Sequence, residues 1–259
     1  IKTKLILCIA GFPKLNLFRK YFWKFSKKNI YKVICPSKET KDLLLKKFIF
    51  NDNKLRVIYD PHINIKKIQQ KKNNFSDHSF QAPNEYIIAI GRLTKQKNYF
   101  FLISNFKKLS LEYDDIKLLI IGDGEERKIL QNLIFKLQIE NKVKKIGYEK
   151  NIYKYLKKSK YYISTSKWEG SSLAMIDAAF MGLPILCSNC PTGRKEFINN
   201  DERGFLFNEN DSESFLKKFN EMHNAKFDKL KIQLVKAKKE SKKFTLLNYF
   251  IGLSKILKD

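Results

Sequence analysis

Apolar and polar positions divide the chain into two blocks, each of which alternates short apolar runs with longer amphipathic segments. In the second block the apolar runs are bounded by charged or turn-forming residues, as buried strands are. The predicted strands of this block are Tyr86–Ile90, Lys117–Ile121, Val143–Ile146, Tyr161–Thr165 and Ile185–Ser188. Helical spacing between them predicts helices at about Phe100–Leu109, Glu125–Leu137, Ile152–Lys157 and Ser172–Met181. This βα alternation predicts an α/β fold, with a parallel sheet flanked by helices.

The first block has the same character but is shorter. Apolar runs predict strands at Leu5–Ala10, Tyr31–Cys35 and Leu55–Tyr59, with a basic, aromatic helix between the first two. Ser37 is a good N-cap for a further helix from about Lys38 to Phe48. Residues 61–84 contain Pro61, many Lys and Gln and little periodicity, so we predict that they connect two domains, residues 1–60 and 85–243. From about Asp211 the pattern is helical, and its last part, Phe244–Leu257, is amphipathic.

Composition places the chain among folded proteins without naming its partner. The 259 residues are 43% hydrophobic and 14% aromatic, which excludes a disordered chain, and no apolar run is long enough to span a membrane. The net charge of +26 suits nucleic acid, an anionic membrane surface or an anionic small ligand. Frequent Lys, Asn, Ile and Phe offer another explanation, the coding bias of an AT-rich genome. The opening residues, IKTKLILCIAGFP, resemble a strand entering a turn more than a signal peptide, so we expect a fragment.

The four cysteines do not predict a metal or disulfide site. Cys187 and Cys190 form a CxxC pair, but no second pair or HxxxH motif supplies the further ligands that zinc needs. A turn, Pro191-Thr192-Gly193, follows the pair, where a redox motif would open a helix. We interpret the spacing as chance and expect reduced thiols in the cytosol.

Polar residues that follow the predicted strands are the candidates for binding, because ligands of open α/β sheets lie beyond the carboxyl ends of the strands. After the first strand of the second block comes GRLTKQKN, in which Arg92 and Lys97 could hold phosphate oxygens. The alternative for this stretch is a solvated loop. Gly122, in a GDG turn, and Tyr148, after Gly147, are weaker candidates beside the next strands.

The stretch WEGSSLAMIDAAFMGLP, residues 168–184, contains a carboxylate in an otherwise apolar helix. A helix that is apolar on all sides is buried, and a buried carboxylate needs hydrogen-bond donors. Sugar hydroxyls would satisfy Asp177, and so would a core ion pair with a nearby Lys or Arg. Glu169, in the loop before the helix, could point into the same cleft, and the free N–H groups of the helix start favour an anion.

Taken together, these motifs resemble those of family 4 glycosyltransferases of the GT-B fold. Glu169 and Asp177 match the family's E-x7-E signature, and WEG…AAFMGLPIL is similar to its WEG…EAMACGLPVV. GRL…KN and GDG after the first two strands are also similar. CPTGRKE, followed by RGFLF, resembles the CPTGPxEI…GxxGLL of members that add hexose or N-acetylhexosamine to bacterial surface glycans. The match covers nearly the whole chain.

The resemblance implies two Rossmann-like domains, the first incomplete and on the acceptor side, the second binding a nucleotide-sugar donor. It assigns Arg92 and Lys97 to the diphosphate, Glu169 to the donor sugar and Asp177 to the ribose hydroxyls. Of these, Glu169, Arg92 and Lys97 are the candidate catalytic residues. A C-terminal helix, residues 244–259, would return to the first domain. The further donor-binding candidates are Gly91, Gly122, Tyr148, Gly170, Ser171, Ser172 and Leu173.

Two departures from the family pattern affect the donor site. The second acid of the signature is Asp177, which is one methylene shorter than Glu, so that its ribose contact would be longer or water-bridged. Arg194 stands where the family usually has Pro, which changes the shape of that loop.

The function implied is a retaining, metal-independent glycosyltransferase without a cofactor. It would move a hexose or N-acetylhexosamine from a UDP-sugar to a glycan or lipid-linked acceptor in bacterial cell-surface polysaccharide synthesis, in the cytoplasm. This chain by itself is expected to lack transfer activity. Two alternatives stay open: a basic nucleic-acid-binding protein, for which no RNP, helix-turn-helix or zinc-finger pattern is visible, and a sugar-nucleotide-binding module without activity. Nucleic acid is therefore not among the expected partners.

The first helical segment, residues 14–28, predicts attachment to the inner face of the membrane. Its sequence, KLNLFRKYFWKFSKK, mixes aromatic and cationic side chains, as helices at the membrane interface do. Each Lys or Arg near an anionic leaflet contributes about 1 kcal/mol. A helix packed on the core with a basic outer face is the alternative.

Overall fold

The computed structural model describes residues 3–11, 13, 16–71, 86–191 and 193–258, and within them two parallel sheets flanked by helices. This confirms the predicted α/β class. In the larger sheet the strands Tyr86–Ile90 and Ile185–Ser188 are apolar and buried almost throughout, whereas Leu5–Cys8 of the smaller sheet is exposed or half-exposed along its length. Each sheet has its own hydrophobic core.

The smaller sheet belongs to the first block. Its strands are β1, Leu5–Cys8, β2, Ile30–Cys35, and β3, Leu55–Val57, in the order β1-β2-β3. Helix α1, Leu17–Ser26, joins the first two strands, and α2, Lys38–Lys46, follows the second. Ser37 is the N-cap of α2, as predicted, since its hydroxyl accepts from Thr40 N at 3.1 Å.

The larger sheet has six strands: β4, Tyr86–Ile90, β5, Lys117–Ile121, β6, Val143–Ile146, β7, Ser159–Ser164, β8, Ile185–Ser188, and β9, Phe205–Phe207. Their order in the sheet is β6-β5-β4-β7-β8-β9. This is the arrangement of two mononucleotide-binding halves, and the strand order reverses between β4 and β7, where such sheets bind ligands. Four of the strands have the predicted bounds, β7 begins and ends earlier, and β9 was not predicted.

Helices cover both faces of this sheet. The helices of this part of the chain are α4, Tyr99–Glu112, α5, Arg127–Lys136, α6, Tyr153–Leu156, α7, Leu173–Met181, α8, Arg194–Ile198, α9, Ser212–His223, α10, Phe227–Ser241, and α11, Leu246–Lys258. Helices α4, α5 and α9 pack over the core that contains Phe106 and Phe219, while α6, α7 and α10 pack over the core that contains Ile176. The short α8 was not predicted.

The predicted connection between the blocks contains a helix, α3, Ile65–Lys71. Sequence periodicity missed it because only Ile68 of its side chains is buried, against the core beside α6. The rest of the predicted connection, residues 72–84, lies outside the described residues.

The final helix, α11, packs on the first sheet. Ile256 is buried against Ile34 and Ile58, and Gly252 passes so close that an added Cβ would lie 3.1 Å from a side-chain carbon of Ile58. The same helix leaves large apolar side chains exposed on its other face, among them Leu246, Leu247 and Phe250.

Helix α1 carries an exposed aromatic stripe. Phe18, Tyr21, Phe22 and Phe25 stand at i, i+3, i+4 and i+7, the spacing of one helical face, and between 60% and 87% of each is exposed. Trp23, on the opposite face, packs against the core, with its ring 6.0 Å from that of Phe50. Within the described residues, no helix combines the length and the apolar character that crossing a bilayer requires.

Candidate functional site

The loops that follow β4 and β7 meet at the point where the strand order reverses. The Thr165 hydroxyl donates to the carbonyls of Lys97 and Asn98 at 3.1 and 3.0 Å. Gln96 Nε2 donates to the carbonyl of Trp168 at 2.8 Å. These bonds fix the 91–98 loop against the 165–169 loop, which the sequence separates by some seventy residues.

Gly91 makes room for the side chain of Lys97. An added Cβ at Gly91 would lie 3.1 Å from Lys97 Cε, so a larger residue would push the lysine aside. The Lys97 ammonium ends 2.6 Å from Glu169 Oε1, and the two side chains are 20% and 7% exposed. The predicted diphosphate ligand and the predicted sugar ligand therefore lie side by side.

A second cation, Arg194, reaches the same oxygen. Its Nη2 donates to Glu169 Oε1 at 3.2 Å, and the Ser166 hydroxyl donates to this oxygen at 2.6 Å. Burial alone would raise the pKa of the Glu169 carboxyl, but Arg194 and Lys97 outweigh burial and hold the pKa below its ordinary range. Glu169 is thus an anion at neutral pH. We refer to Lys97, Glu169 and Arg194 as the Glu169 cluster.

The rest of the Arg194 side chain is enclosed by serines. It is fully buried, and its guanidinium donates to the hydroxyls of Ser172, Ser188 and Ser164 at 2.9, 2.8 and 2.5 Å. Ser164 and Ser188 end strands β7 and β8, and Ser172 precedes α7. The sequence marked Arg194 only as a departure in a loop, and the structure places it beneath the candidate site.

The N-terminus of α7 adjoins the Glu169 cluster, since Ser172 Oγ accepts from Arg194 Nε. Ser172 precedes the helix with φ 46°, a left-handed conformation that is unfavourable for a residue with a side chain. Gly170 lies against the first domain, since an added Cβ would be 2.6 Å from the Cα of Gly11. The hydroxyl of Ser171 bonds to the Asp60 carboxylate, and Leu173 is 39% exposed at the first turn.

Asp177 is buried and already paired. Its Oδ2 lies 2.7 Å from His62 Nε2, and its Oδ1 accepts from the Tyr153 hydroxyl at 2.8 Å. The core-pairing alternative named Lys or Arg, and the partners are instead a histidine and a tyrosine. Burial and the Asp177 charge together raise the pKa of Tyr153 well above its ordinary range, so its hydroxyl stays a donor. Each carboxylate oxygen retains a further lone pair, so the ribose assignment stays a prediction.

The remaining predicted residues differ in their distance from the cluster. Gly122 touches the loop of the cluster, since an added Cβ would be 1.9 Å from the carbonyl oxygen of Gly91. Arg92 is exposed on that loop. Tyr148 is 81% exposed after β6, the edge strand, two strands away from β4. The structure therefore brings together Gly91, Lys97, Gly122, Glu169 and the α7 N-terminus, and leaves Tyr148 at the periphery.

The N-termini of α2 and α8 are joined by reciprocal hydrogen bonds. Glu196 of α8 accepts from the backbone N of Lys38, the first residue of α2, at 2.7 Å. Glu39 of α2 accepts in turn from the backbone N of Gly193, before α8, at 3.0 Å. Each carboxylate satisfies N–H groups that the other helix leaves unpaired. Tyr59 adds a hydroxyl bond to Glu196 at 2.5 Å, and burial raises the pKa of this hydroxyl.

The CxxC pair contributes no reactive group. Cys187 and Cys190 are free and buried, and burial raises the pKa of the Cys187 thiol to about 12. Both cysteines therefore behave as small core residues.

Comparison with known proteins matches the chain to a family. The sequence model of the family "Glycosyl transferases group 1" matches residues 70–241. An uncharacterised glycosyltransferase of Methanocaldococcus jannaschii is 35% identical over 76% of this chain and 50% of its own length. The N-acetylgalactosamine-N,N'-diacetylbacillosaminyl-diphospho-undecaprenol 4-alpha-N-acetylgalactosaminyltransferase of Campylobacter jejuni is 27% identical over 79% of this chain and 56% of its own. The UDP-Gal:alpha-D-GlcNAc-diphosphoundecaprenol alpha-1,3-galactosyltransferase of Escherichia coli is 29% identical over 78% and 54%.

Solved structures agree on the fold. Anabaena HepE in complex with UDP superposes with a TM-score of 0.80 at 17% identity, over 98% of this chain and 72% of that chain. An S. aureus TarM variant in complex with fondaparinux, alpha-GlcNAc-glycerol and UDP superposes with a TM-score of 0.79 at 19% identity, over 99% and 51%. The fold is thus that of the GT-B glycosyltransferases, as predicted. The chain spans about half the length of the curated relatives that it matches.

Proposed function

Because this chain belongs to the group 1 family of glycosyl transferases, we propose that its second domain binds a UDP-sugar and that the whole protein transfers the sugar. The observation that carries the proposal is the Glu169 cluster at the strand-order reversal, where two cations share one carboxylate. A diphosphate placed there would meet Lys97, the exposed Arg92 and the N-terminus of α7. The structures of HepE and TarM, which carry UDP in complexes of the same fold, support this donor.

We propose a transfer that retains the configuration at the sugar and uses no metal ion. The bond between the sugar C1 and the terminal phosphate oxygen breaks, and its electron pair stays on the phosphate. An acceptor hydroxyl oxygen bonds to C1 on the same face, and its proton passes to the departing phosphate. Lys97 and Arg92 offset the negative charge where it develops, while the sugar gains oxocarbenium character. The Glu169 carboxylate accepts hydrogen bonds from the sugar hydroxyls and so orients the sugar.

For the acceptor we propose a glycan or a lipid-linked glycan in the synthesis of a bacterial cell-surface polysaccharide. The names of two relatives support this class, since both act on sugars linked to diphospho-undecaprenol. The transferred group would be a hexose or an N-acetylhexosamine, as in those two names. Because the chain spans half of its relatives, donor binding is the property to measure first, and the lack of transfer by this chain alone stays a prediction.

The first test replaces Lys97 by alanine. Lys97→Ala should weaken UDP by about one to two decades, because one charge-assisted hydrogen bond to the diphosphate is worth about 1.5–3 kcal/mol. Uridine, which has no phosphate, should bind as before. Calorimetric titration of both ligands gives the comparison.

Lys95→Ala is the matched control, because Lys95 is an exposed lysine of the same loop. It should leave both affinities unchanged. Equal weakening of UDP by the two variants would show that bulk charge, and no placed contact, binds the nucleotide. Random DNA that binds with steep salt dependence, together with no measurable UDP binding, would favour a nucleic-acid-binding protein instead.

We also propose that α1 attaches the protein to the cytosolic face of an anionic membrane. The support is the exposed stripe of Phe18, Tyr21, Phe22 and Phe25, which stands on the same helix as the cations Arg19, Lys20 and Lys24. Apolar side chains enter the interface while cations meet the lipid headgroups.

Vesicle sedimentation tests this attachment. A triple variant, Phe18→Ser with Phe22→Ser and Phe25→Ser, should lose at least about tenfold in partition onto anionic vesicles. The matched triple replaces exposed phenylalanines of the second domain, Phe100, Phe135 and Phe227, and should keep binding. Equal partition of the unaltered chain with neutral and anionic vesicles would contradict the proposal.

A further inference from the structure

Arg194 gives the Glu169 cluster an unbalanced charge. Lys97 and Arg194 each carry one positive charge, and Glu169 is the anion that pairs with both among the described residues. An arginine stays protonated in a protein, so the cluster of two cations and one carboxylate keeps a net positive charge. Because the cluster is buried, its excess positive charge attracts an anion more strongly than the same charge would in water.

The surroundings of Arg194 hold the cation without neutralising it. The hydroxyls of Ser164, Ser172 and Ser188 accept its hydrogen bonds, and the carbonyls of Ser164 and Ser188 lie within 3.5 Å of Nη1. Hydroxyl and carbonyl groups stabilise a guanidinium but carry no negative charge. With these contacts Arg194 is engaged on all sides within the protein, so a donor would not touch it directly.

Lys97 depends on this second cation. If Glu169 paired with Lys97 alone, the pair would be neutral, and a diphosphate would have to compete with the carboxylate for the ammonium. Because Arg194 Nη2 also donates to Glu169 Oε1, at 3.2 Å, the two cations share the carboxylate. The negative charge of Glu169 therefore only partly compensates the positive charge of the Lys97 ammonium. The anion that the excess charge favours is one that reaches Lys97.

We propose that Arg194 is a positioning residue for diphosphate binding, which shares the Glu169 carboxylate and so leaves Lys97 available to the donor phosphates. The inference rests on the proposed donor site but reaches beyond it, because it assigns a role to a residue that is fully buried and so cannot contact the donor. It also gives a role to Arg194 at the position where the family usually has proline, as a second cation beneath the site.

The test compares UDP, pyrophosphate and uridine on five forms of the chain: unaltered, Arg194→Met, Arg194→Lys, Glu169→Gln, and Arg194→Met with Glu169→Gln. Arg194→Met should weaken UDP and pyrophosphate by about tenfold and leave uridine unchanged. Arg194→Lys keeps the charge and should stay within about threefold of the unaltered chain. In the double variant Glu169 no longer holds Lys97, so UDP and pyrophosphate affinity should return.

Restoration in the double variant is the decisive result, because a loss of affinity caused by structural damage at position 194 would persist when Glu169 is replaced as well. Unchanged diphosphate binding in Arg194→Met, or a double variant weaker than Arg194→Met, would overturn the inference. Should Arg194→Met fail to fold, Glu169→Gln alone decides: it should tighten UDP and pyrophosphate relative to uridine, and weaker binding overturns the proposal.

Arg203→Met is the matched control. Arg203 pairs with Glu240 at 3.7 Å and donates to the carbonyl of Phe197, outside the cluster. Its replacement should change stability but not the ratio of UDP to uridine affinity. An unaltered chain that binds pyrophosphate but no UDP contradicts the proposed donor and leaves the Arg194 comparison intact. A chain that binds no diphosphate at all contradicts both.

Discussion

Replacing Gly122 by alanine should cost this protein about 4 kcal/mol or more of unfolding free energy, a loss in the exceptional range for one methyl group. Gly122 has φ +143°, and an added Cβ would lie 1.9 Å from the carbonyl oxygen of Gly91 and 2.8 Å from its carbonyl carbon. The backbone strain alone costs about 1–3 kcal/mol, and the clash is with main chain that cannot rotate away. Chemical denaturation followed by circular dichroism measures the loss.

The same substitution should also weaken UDP binding in the protein that stays folded. Gly91 ends β4 through a bond from its N to the carbonyl of Ile121 at 3.0 Å, so the clash acts on the start of the loop that carries Lys97. Gly147→Ala is the matched control, because Gly147 also follows a strand and its nearest neighbour, Arg127 Nη1, is 3.9 Å from the added Cβ. Equal stability of the two variants would show that Gly122 does not approach the Gly91 carbonyl this closely.

Most of the larger sheet could be predicted because its central strands are buried on both faces. β4, β5 and β8 are nearly continuous apolar runs with the predicted bounds, and β6 also has the predicted bounds although two of its four residues are lysines. β9, Phe205–Phe207, could not be predicted because it is only three residues long and lies at the edge of the sheet. Its strand conformation depends on pairing with β8, which the local sequence does not reveal. Helix α3 was not predicted for a related reason. Ile68 is its one buried side chain, so the sequence shows no apolar periodicity there.

Only the site residues that lie within recognised sequence motifs could be predicted. The resemblance named Lys97 and Glu169 separately, and the structure shows their ion pair. It could not show that Arg194 joins them, because the serines that hold its guanidinium come from three separate parts of the chain, the ends of β7 and β8 and the residue before α7. His62 gave no signal either, since 115 positions separate it from Asp177 and nothing in its neighbourhood indicates a carboxylate partner.

Helix α8 links the Glu169 cluster to the block that contains the smaller sheet. α8 carries Arg194, which reaches Glu169, and Glu196, which accepts from the backbone N of Lys38 at the start of α2. Glu39 of α2 accepts in turn from Gly193 N, directly before Arg194. One short helix therefore contacts both the buried cluster and the N-terminus of α2.

Asp177→Asn should weaken UDP and uridine by the same factor, about one to two decades, because both ligands carry the ribose whose hydroxyls the carboxylate is proposed to accept. The fold should survive, since Asn has the shape of Asp and its side-chain oxygen can still accept from the Tyr153 hydroxyl. Its amide can donate to His62 Nε2 in the tautomer that leaves this nitrogen unprotonated. Melting temperature and both affinities are measured together.

Asp114→Asn is the control for the change of charge, because Asp114 is 94% exposed and its partner Lys142 lies before β6, at the amino end of the strands. It should change neither affinity. If Asp177 serves only to hold His62 and Tyr153, its loss of charge should lower the melting temperature while the folded fraction binds uridine as before. Breaking a buried charged contact costs about 3–5 kcal/mol, so the two outcomes are well separated. A large fall in melting temperature with unchanged uridine affinity would assign Asp177 to the packing of α7 against the connection between the domains, and not to the nucleotide.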